Sequence, residues 1–166
     1  MEILKLATEW AKAEVFSTRF FILFAILFLI ASIGFWQLGK SDLAKAYVIP
    51  TLVAGILLLT IGIGLFYTNK SRITAFESAY IENPSAFVNS EFDRIDSTLK
   101  EYNTIVFKGI PIIIIAAALL IIFVNSPVWR AISITTIAMM IVILLIDGTA
   151  HSRIEVYKKQ LELLHK

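Results

Sequence analysis

The chain has 166 residues, of which 58% are hydrophobic and 17% charged, with a formal charge of +2 and a mean hydropathy of +0.80. Ordinary soluble domains carry roughly 45–50% apolar and about 25% charged residues, so this composition argues against one. There is no cysteine, which excludes disulfides, thiolate metal sites and thiol chemistry. The small net charge forms no basic cluster, so nucleic acid is not an expected partner.

The apolar residues gather in four runs. A bilayer's hydrocarbon core is roughly 30 Å thick, and a spanning helix needs about 20 mostly apolar residues. Phe20 to Gly39, Ala46 to Asn69 and Gly109 to Trp129 reach that length without a charge. Ala131 to Ile146 reaches it only by taking in Asp147 to Ala150. The runs are too long for barrel strands and do not alternate. The expected fold class is an all-α membrane protein. Its four transmembrane helices form two parallel-repeat hairpins, with cytoplasmic helical extensions and an N-terminal amphipathic helix.

Residues 1–18 carry Glu2, Glu9 and Glu14, and no small-residue cleavage site follows, so they do not read as a cleavable signal. Ile3, Ala7, Trp10 and Ala11 share a helical face, which predicts an interfacial amphipathic helix. The first hairpin covers residues 19–69. Ala25 and Ser32 lie seven residues apart in its first run, and Gly55 and Gly62 in its second. Small residues let membrane helices approach closely, so these positions predict a packing seam. Pro50 lies one turn inside the second run, where a proline can bend a helix.

Residues 70–106 predict a helical hairpin in the cytoplasm. Asn83-Pro84 has the chemistry of an N-cap followed by a first-turn proline. Beyond it Val88, Phe92, Ile95 and Leu99 follow coiled-coil spacing and form a candidate partner-binding stripe. Asn89, Ser90, Asp93, Arg94, Ser97, Lys100 and Glu101 form the opposite face, which is expected to be solvated. The second hairpin covers residues 107–150. Gly109 and Pro111 predict a break or bend where the chain enters the bilayer. Ala116-Ala117-Ala118 is the expected contact face of the third run, and Asn125-Ser126-Pro127 the outer turn. Residues 151–166 form a last cytoplasmic helix with Ile154, Tyr157, Leu161 and Leu164 on one face.

Two stretches resemble each other: Thr68-Asn69-Lys70-Ser71-Arg72-Ile73 and Thr149-Ala150-His151-Ser152-Arg153-Ile154. The repeated string suggests a duplicated unit, an apolar hairpin that leaves the bilayer through a basic exit. Lys70, Arg72 and Arg153 are the candidate exit anchors. Most Lys and Arg residues lie in the N-terminal segment, the central segment and the tail; only Lys40, Lys45 and Arg130 lie in the other two connections. The positive-inside rule then places both termini in the cytoplasm. The expected location is a bacterial cytoplasmic membrane.

No motif of an enzyme is present, and neither a metal site nor a cofactor is expected. Asp147 is the one acidic residue inside an apolar run, and His151 follows one turn later on the same face. With Lys108 these form a candidate intramembrane polar site. Two functions fit. The first is a non-enzymatic oligomeric scaffold or accessory protein, with the bilayer, further copies of itself or another membrane or cytoplasmic protein as partners. The alternative is an oligomeric channel or small transporter for an ion or small solute.

Overall fold

The computed structural model describes residues 1–165 and is all-helical. Lys166, counted above with the basic tail, lies outside the described residues. Six α-helices run in the order α1 (Glu2–Leu38), α2 (Asp42–Ala46), α3 (Val48–Glu82), α4 (Pro84–Glu101), α5 (Ile110–Phe123) and α6 (Pro127–His165). A π-helical segment, Tyr102–Gly109, joins α4 to α5 without interruption. Four helical stretches are long and apolar enough to cross a membrane.

The N-terminal amphipathic helix is not a separate element. No glycine or proline occurs between Glu2 and Ile33, so nothing stops the helix before Gly39, and α1 runs as one rod of 37 residues. At 1.5 Å per residue it is about 55 Å long. Its amphipathic start does not lie open as an interfacial helix would. Ala7, Trp10 and Ala11 are buried against other helices. The remaining boundaries follow local chemistry. The Ser41 hydroxyl accepts from the Ala44 N–H at the start of α2. Asn83 Oδ1 accepts from the Ala86 N–H at 3.0 Å, with Pro84 in the first turn of α4. Pro127 opens α6. Pro50 falls in the first turn of α3, where its missing N–H leaves no bond within that helix unmade.

The bend expected at Gly109-Pro111 is instead the π-helical segment. A proline ring clashes with the carbonyl four residues earlier. Here the Ile110 N–H reaches the carbonyl of Ile105, five residues back, which widens the turn just before Pro111.

Side chains pack in two cores. In the apolar half α1 and α3 are intimate partners. A Cβ added at Gly55 would lie 2.8 Å from Leu29 and 3.1 Å from the Ala25 carbonyl oxygen; one added at Gly62 would lie 3.0 Å from Ile22 and Phe21. The expected seam of small residues is therefore the α1–α3 contact. The Ser32 hydroxyl closes its far end by donating to the Val48 carbonyl at 2.8 Å. Phe21, Ala25, Leu58, Val142 and Ile146 form the core where α6 joins the pair. Helix α5 packs on α6. Of its three alanines only Ala117 is buried; Ala116 faces outward.

The second core lies in the polar half. The start of α1, the end of α3, α4 and the end of α6 form a four-helix bundle around Trp10, Phe76, Phe87, Ile95, Tyr157 and Leu161. The Phe87 ring meets Phe76 and Tyr80 edge-on at 5.5 and 5.7 Å, which makes α3 and α4 the helical hairpin foreseen at Asn83-Pro84.

Candidate functional site

A cavity of about 340 Å³ lies where the two cores meet. This is within the roughly 300–1,000 Å³ range of ligand pockets. Its walls change character along their length. Phe21, Ile61, Leu65 and Ile143 line the apolar end. Trp10, Asn69, Arg72, Arg94 and Thr98 line the polar end, and Tyr102, Ile105 and Val106 bring the π-helical segment in as one side. Wide turns of this kind are rare and frequent at functional sites.

Most charges around the cavity are matched. Glu91 is only 3% exposed. It accepts two hydrogen bonds from Arg94, at 2.9 and 2.6 Å, and one from the Tyr157 hydroxyl at 2.8 Å. The Arg94 guanidinium lies 4.2 Å from the Trp10 ring centroid, and Tyr157 stacks on Trp10 at 5.5 Å. Aromatic stacking and a cation on the ring thus hold the indole in place. Glu14 accepts from Arg153 at 3.0 Å, and the same guanidinium donates to the Ser17 hydroxyl at 2.8 Å.

Three charged groups of the lining make no ion pair among the described residues: Arg72, Asp147 and, exposed at the rim, Glu101. Arg72 donates to the neutral Asn69 amide oxygen at 2.7 Å and makes no ion pair among the described residues. Burial, and then the nearby Arg94 charge, pull its guanidinium below the ordinary arginine value. Asp147, on α6, makes neither a hydrogen bond nor an ion pair among the described residues, and it lines the same cavity. The indole N–H of Trp10 is also buried without a partner. Tyr102, between these groups, is held in its neutral form chiefly by burial and then by the Asp147 charge.

The structure divides the expected polar site. Asp147 lines the cavity, whereas His151 turns away. Its ring stands edge-on to Phe107 at 5.0 Å and Tyr102 at 5.7 Å, and its Nδ1 lies 3.9 Å from Glu155. The acid beside His151 is therefore Glu155, one turn after it, and not Asp147, one turn before. Lys108 is exposed and outside the cavity. The expected exit anchors also separate. Lys70 is exposed, over the Phe66 ring at 5.6 Å. Arg72 and Arg153, at equivalent positions of the repeated string, both turn toward α1: Arg72 lies 5.9 Å from the Trp10 ring centroid and Arg153 binds Glu14.

The candidate partner-binding stripe is occupied within the chain. Val88 and Ile95 are buried in the bundle core, with Phe92 and Leu99 packed against it. Heptad spacing marks a helix face that needs cover, and here α3 and α6 of the same chain supply it, with Trp10 of α1 in the same core. Sequence reasoning missed Glu91, Arg94 and Tyr102 as site residues; Arg94, expected on the solvated face, turns inward instead because the buried Glu91 carboxylate and the Trp10 ring draw its guanidinium. The signal for Glu91 was present: it stands three residues after Val88 and four before Ile95, on the apolar face, where a carboxylate requires a buried partner.

Comparison with known protein families, curated proteins and solved structures finds no match for this chain.

Proposed function

We propose that the chain is a polytopic integral membrane protein that acts as a non-enzymatic scaffold or accessory protein. The four apolar stretches are its spans, paired as two parallel-repeat hairpins. The polar bundle and both termini lie in the cytoplasm, on the side favoured by the distribution of Lys and Arg. One observation carries the functional reading: the centre of the apolar half is sealed by close packing. Ala25 and Leu58 are fully buried there, with Phe21 and Ile146 against them. A sealed core supports a role in holding or joining proteins over one in passing solutes.

The bundle stripe is internal, so partners, including further copies of this chain, meet the spans. Helix α5 presents Ile112, Ile115, Ile122 and Phe123, each more than half exposed. Purification in a mild detergent, with the oligomer measured by light scattering, tests this reading. A stable oligomer or a stoichiometric membrane partner, weakened by Ile115→Trp, is the expected result. A partner-free monomer under all solubilising conditions would refute it.

A specific feature favours the second reading, a conduit. A groove of about 570 Å³ lies between α3 and α6 farther along the apolar half, ending at Leu57 and Met139. The site cavity begins at Ile61 and Ile143, one turn beyond on both helices. The two spaces have no lining residue in common and are separated by about 6 Å of helix. Solute flux in liposomes, raised by Leu58→Ser, would favour the conduit over the scaffold.

A further inference from the structure

The cavity at the junction of the two cores combines three properties that no wall residue explains alone. It is apolar at one end and polar at the other. Partly buried in its wall are one cation without an ion pair, Arg72, and one carboxylate without an ion pair, Asp147, which do not pair with each other; the other unpaired carboxylate, Glu101, is exposed at the rim. The Trp10 indole N–H, on a wall residue only 8% exposed, has no acceptor among the described residues. Unpaired charges and donors in a partly buried site carry a desolvation cost that a matching ligand removes.

The neighbouring charges sharpen the choice of ligand. Arg94 is neutralised by Glu91 and Glu14 by Arg153. Neither a plain anion nor a plain cation balances the two partly buried groups, Arg72 and Asp147, since each would leave one of them unmatched. The exposed Glu101 at the rim adds a second carboxylate on the polar side. The matching molecule carries both signs of charge, with an apolar part directed along Ile61, Leu65 and Ile143.

We propose that this cavity binds the headgroup of a zwitterionic amphipath, with its phosphate on Arg72 and its primary ammonium on Asp147. A guanidinium suits a phosphate because its fork of donors matches two phosphate oxygens. A carboxylate suits a primary ammonium, which offers three donors, over a trimethylated one, which offers none. The apolar end of the cavity continues toward the spans, so a phosphoethanolamine lipid meets the whole wall. The same charged chemistry exists in soluble phosphoethanolamine, and the experiment separates the two sources. The proposal shares with the reading above only the placement of the apolar half in a bilayer. A protein that proves monomeric leaves it standing, and a protein without headgroup preference leaves the scaffold reading untouched.

The test uses the full chain in nanodiscs of phosphatidylcholine containing equal fractions of phosphatidylethanolamine and phosphatidylglycerol, with retained lipids counted by native mass spectrometry. Phosphatidylethanolamine is expected to be retained roughly tenfold over the other two, the scale of one charge-assisted hydrogen bond. Arg72→Gln should lower retention of all three lipids, because each carries a phosphate. Asp147→Asn should abolish the preference among them while leaving phosphate binding in place. A merely structural role for either residue would not produce that split. Stepwise N-methylation of the ethanolamine should weaken retention by the unaltered protein, which keeps the test independent of how the variants fold. Titration of soluble O-phosphoethanolamine into detergent-solubilised protein identifies the source. Binding as tight as that of the lipid assigns the site to a soluble zwitterion, and weaker binding assigns it to the lipid. Equal retention of the three lipids by the unaltered protein, together with no binding of soluble phosphoethanolamine, would overturn the proposal, as would an unchanged preference in Asp147→Asn.

Discussion

The Tyr157 hydroxyl donates a 2.8 Å hydrogen bond to Glu91, 66 residues earlier in the chain. With Arg94 on the same carboxylate, the bond ties α6 to α4 in the centre of the polar bundle. Removing one partner of a buried ion pair costs about 3–5 kcal/mol, because the other charge stays buried. Glu91→Ala should therefore destabilise the bundle by about that much, and Tyr157→Phe by about 1 kcal/mol. Chemical denaturation of the single and double variants should give non-additive losses. Additive losses would mean that the two side chains act independently.

The same tyrosine sets a limit at high pH. Burial and then the Glu91 charge hold Tyr157 well above its ordinary value of 10.0, and burial and then Asp147 do the same for Tyr102. A group that titrates higher in the folded state contributes stability that is fully present below the unfolded value and lost as pH rises above it. Stability should thus be constant with respect to these two groups up to about pH 10 and fall beyond. Thermal melts from pH 8 to 11.5 check this. The decline should be shallower in Tyr157→Phe, after allowing for its lower starting point.

The glycines of α3 are not equivalent. Gly55→Ala would press a methyl group onto Leu29 and the Ala25 carbonyl, whereas a Cβ at Gly64 meets nothing within 4 Å. Overpacking costs typically about 1–3 kcal/mol. Gly55→Ala should lower the melting temperature in detergent, and Gly64→Ala should leave it unchanged or raise it slightly. Equal effects at the two positions would show that α1 and α3 do not meet along this seam.

Pro111 should maintain the wide turn ahead of it. In Pro111→Ala the clash that favours the π register is gone, and the segment is free to return to α-helical spacing. Single cysteines at Ile105, which is exposed, and Val106, which is buried, report the change. Val106→Cys should be protected from a water-soluble thiol reagent and Ile105→Cys reactive. The contrast should shrink when Pro111→Ala is added. An undiminished contrast would assign the turn to packing rather than to the proline.

Much of this architecture was legible because it is local. Asn83-Pro84 and Ser126-Pro127 mark helix boundaries by their own backbone chemistry, and the spacing of Ala25, Ser32, Gly55 and Gly62 marked a seam that the structure contains. What escaped was the identity of the partner across each surface. Val88 and Ile95 announce a face that must be covered, but heptad spacing does not say whether the cover belongs to the same molecule. Asp147 and His151 share a helix face in sequence, yet an aromatic pair from the π-helical segment, Tyr102 and Phe107, draws the imidazole away. Arg72 and Asp147 came to one cavity through tertiary packing of α3 and α6, and no local spacing encodes that.

The stacking of Trp10 on Tyr157 has a bearing on how the molecule is made. During synthesis the cover of Trp10 is not translated until nearly 150 residues after it, roughly seven to thirty seconds at typical elongation rates. Through that interval the inner faces of α1, α3 and α4 have no α6 to close on. Closure of the bundle is therefore a late event, and in the membrane arrangement proposed above it can succeed only if α6 arrives on the same side as α1. A chain inserted with one helix too few or too many would leave Tyr157 and Trp10 on opposite faces of the bilayer. The bundle would then stay open, exposing apolar surface to the proteases and chaperones that survey unfinished membrane proteins.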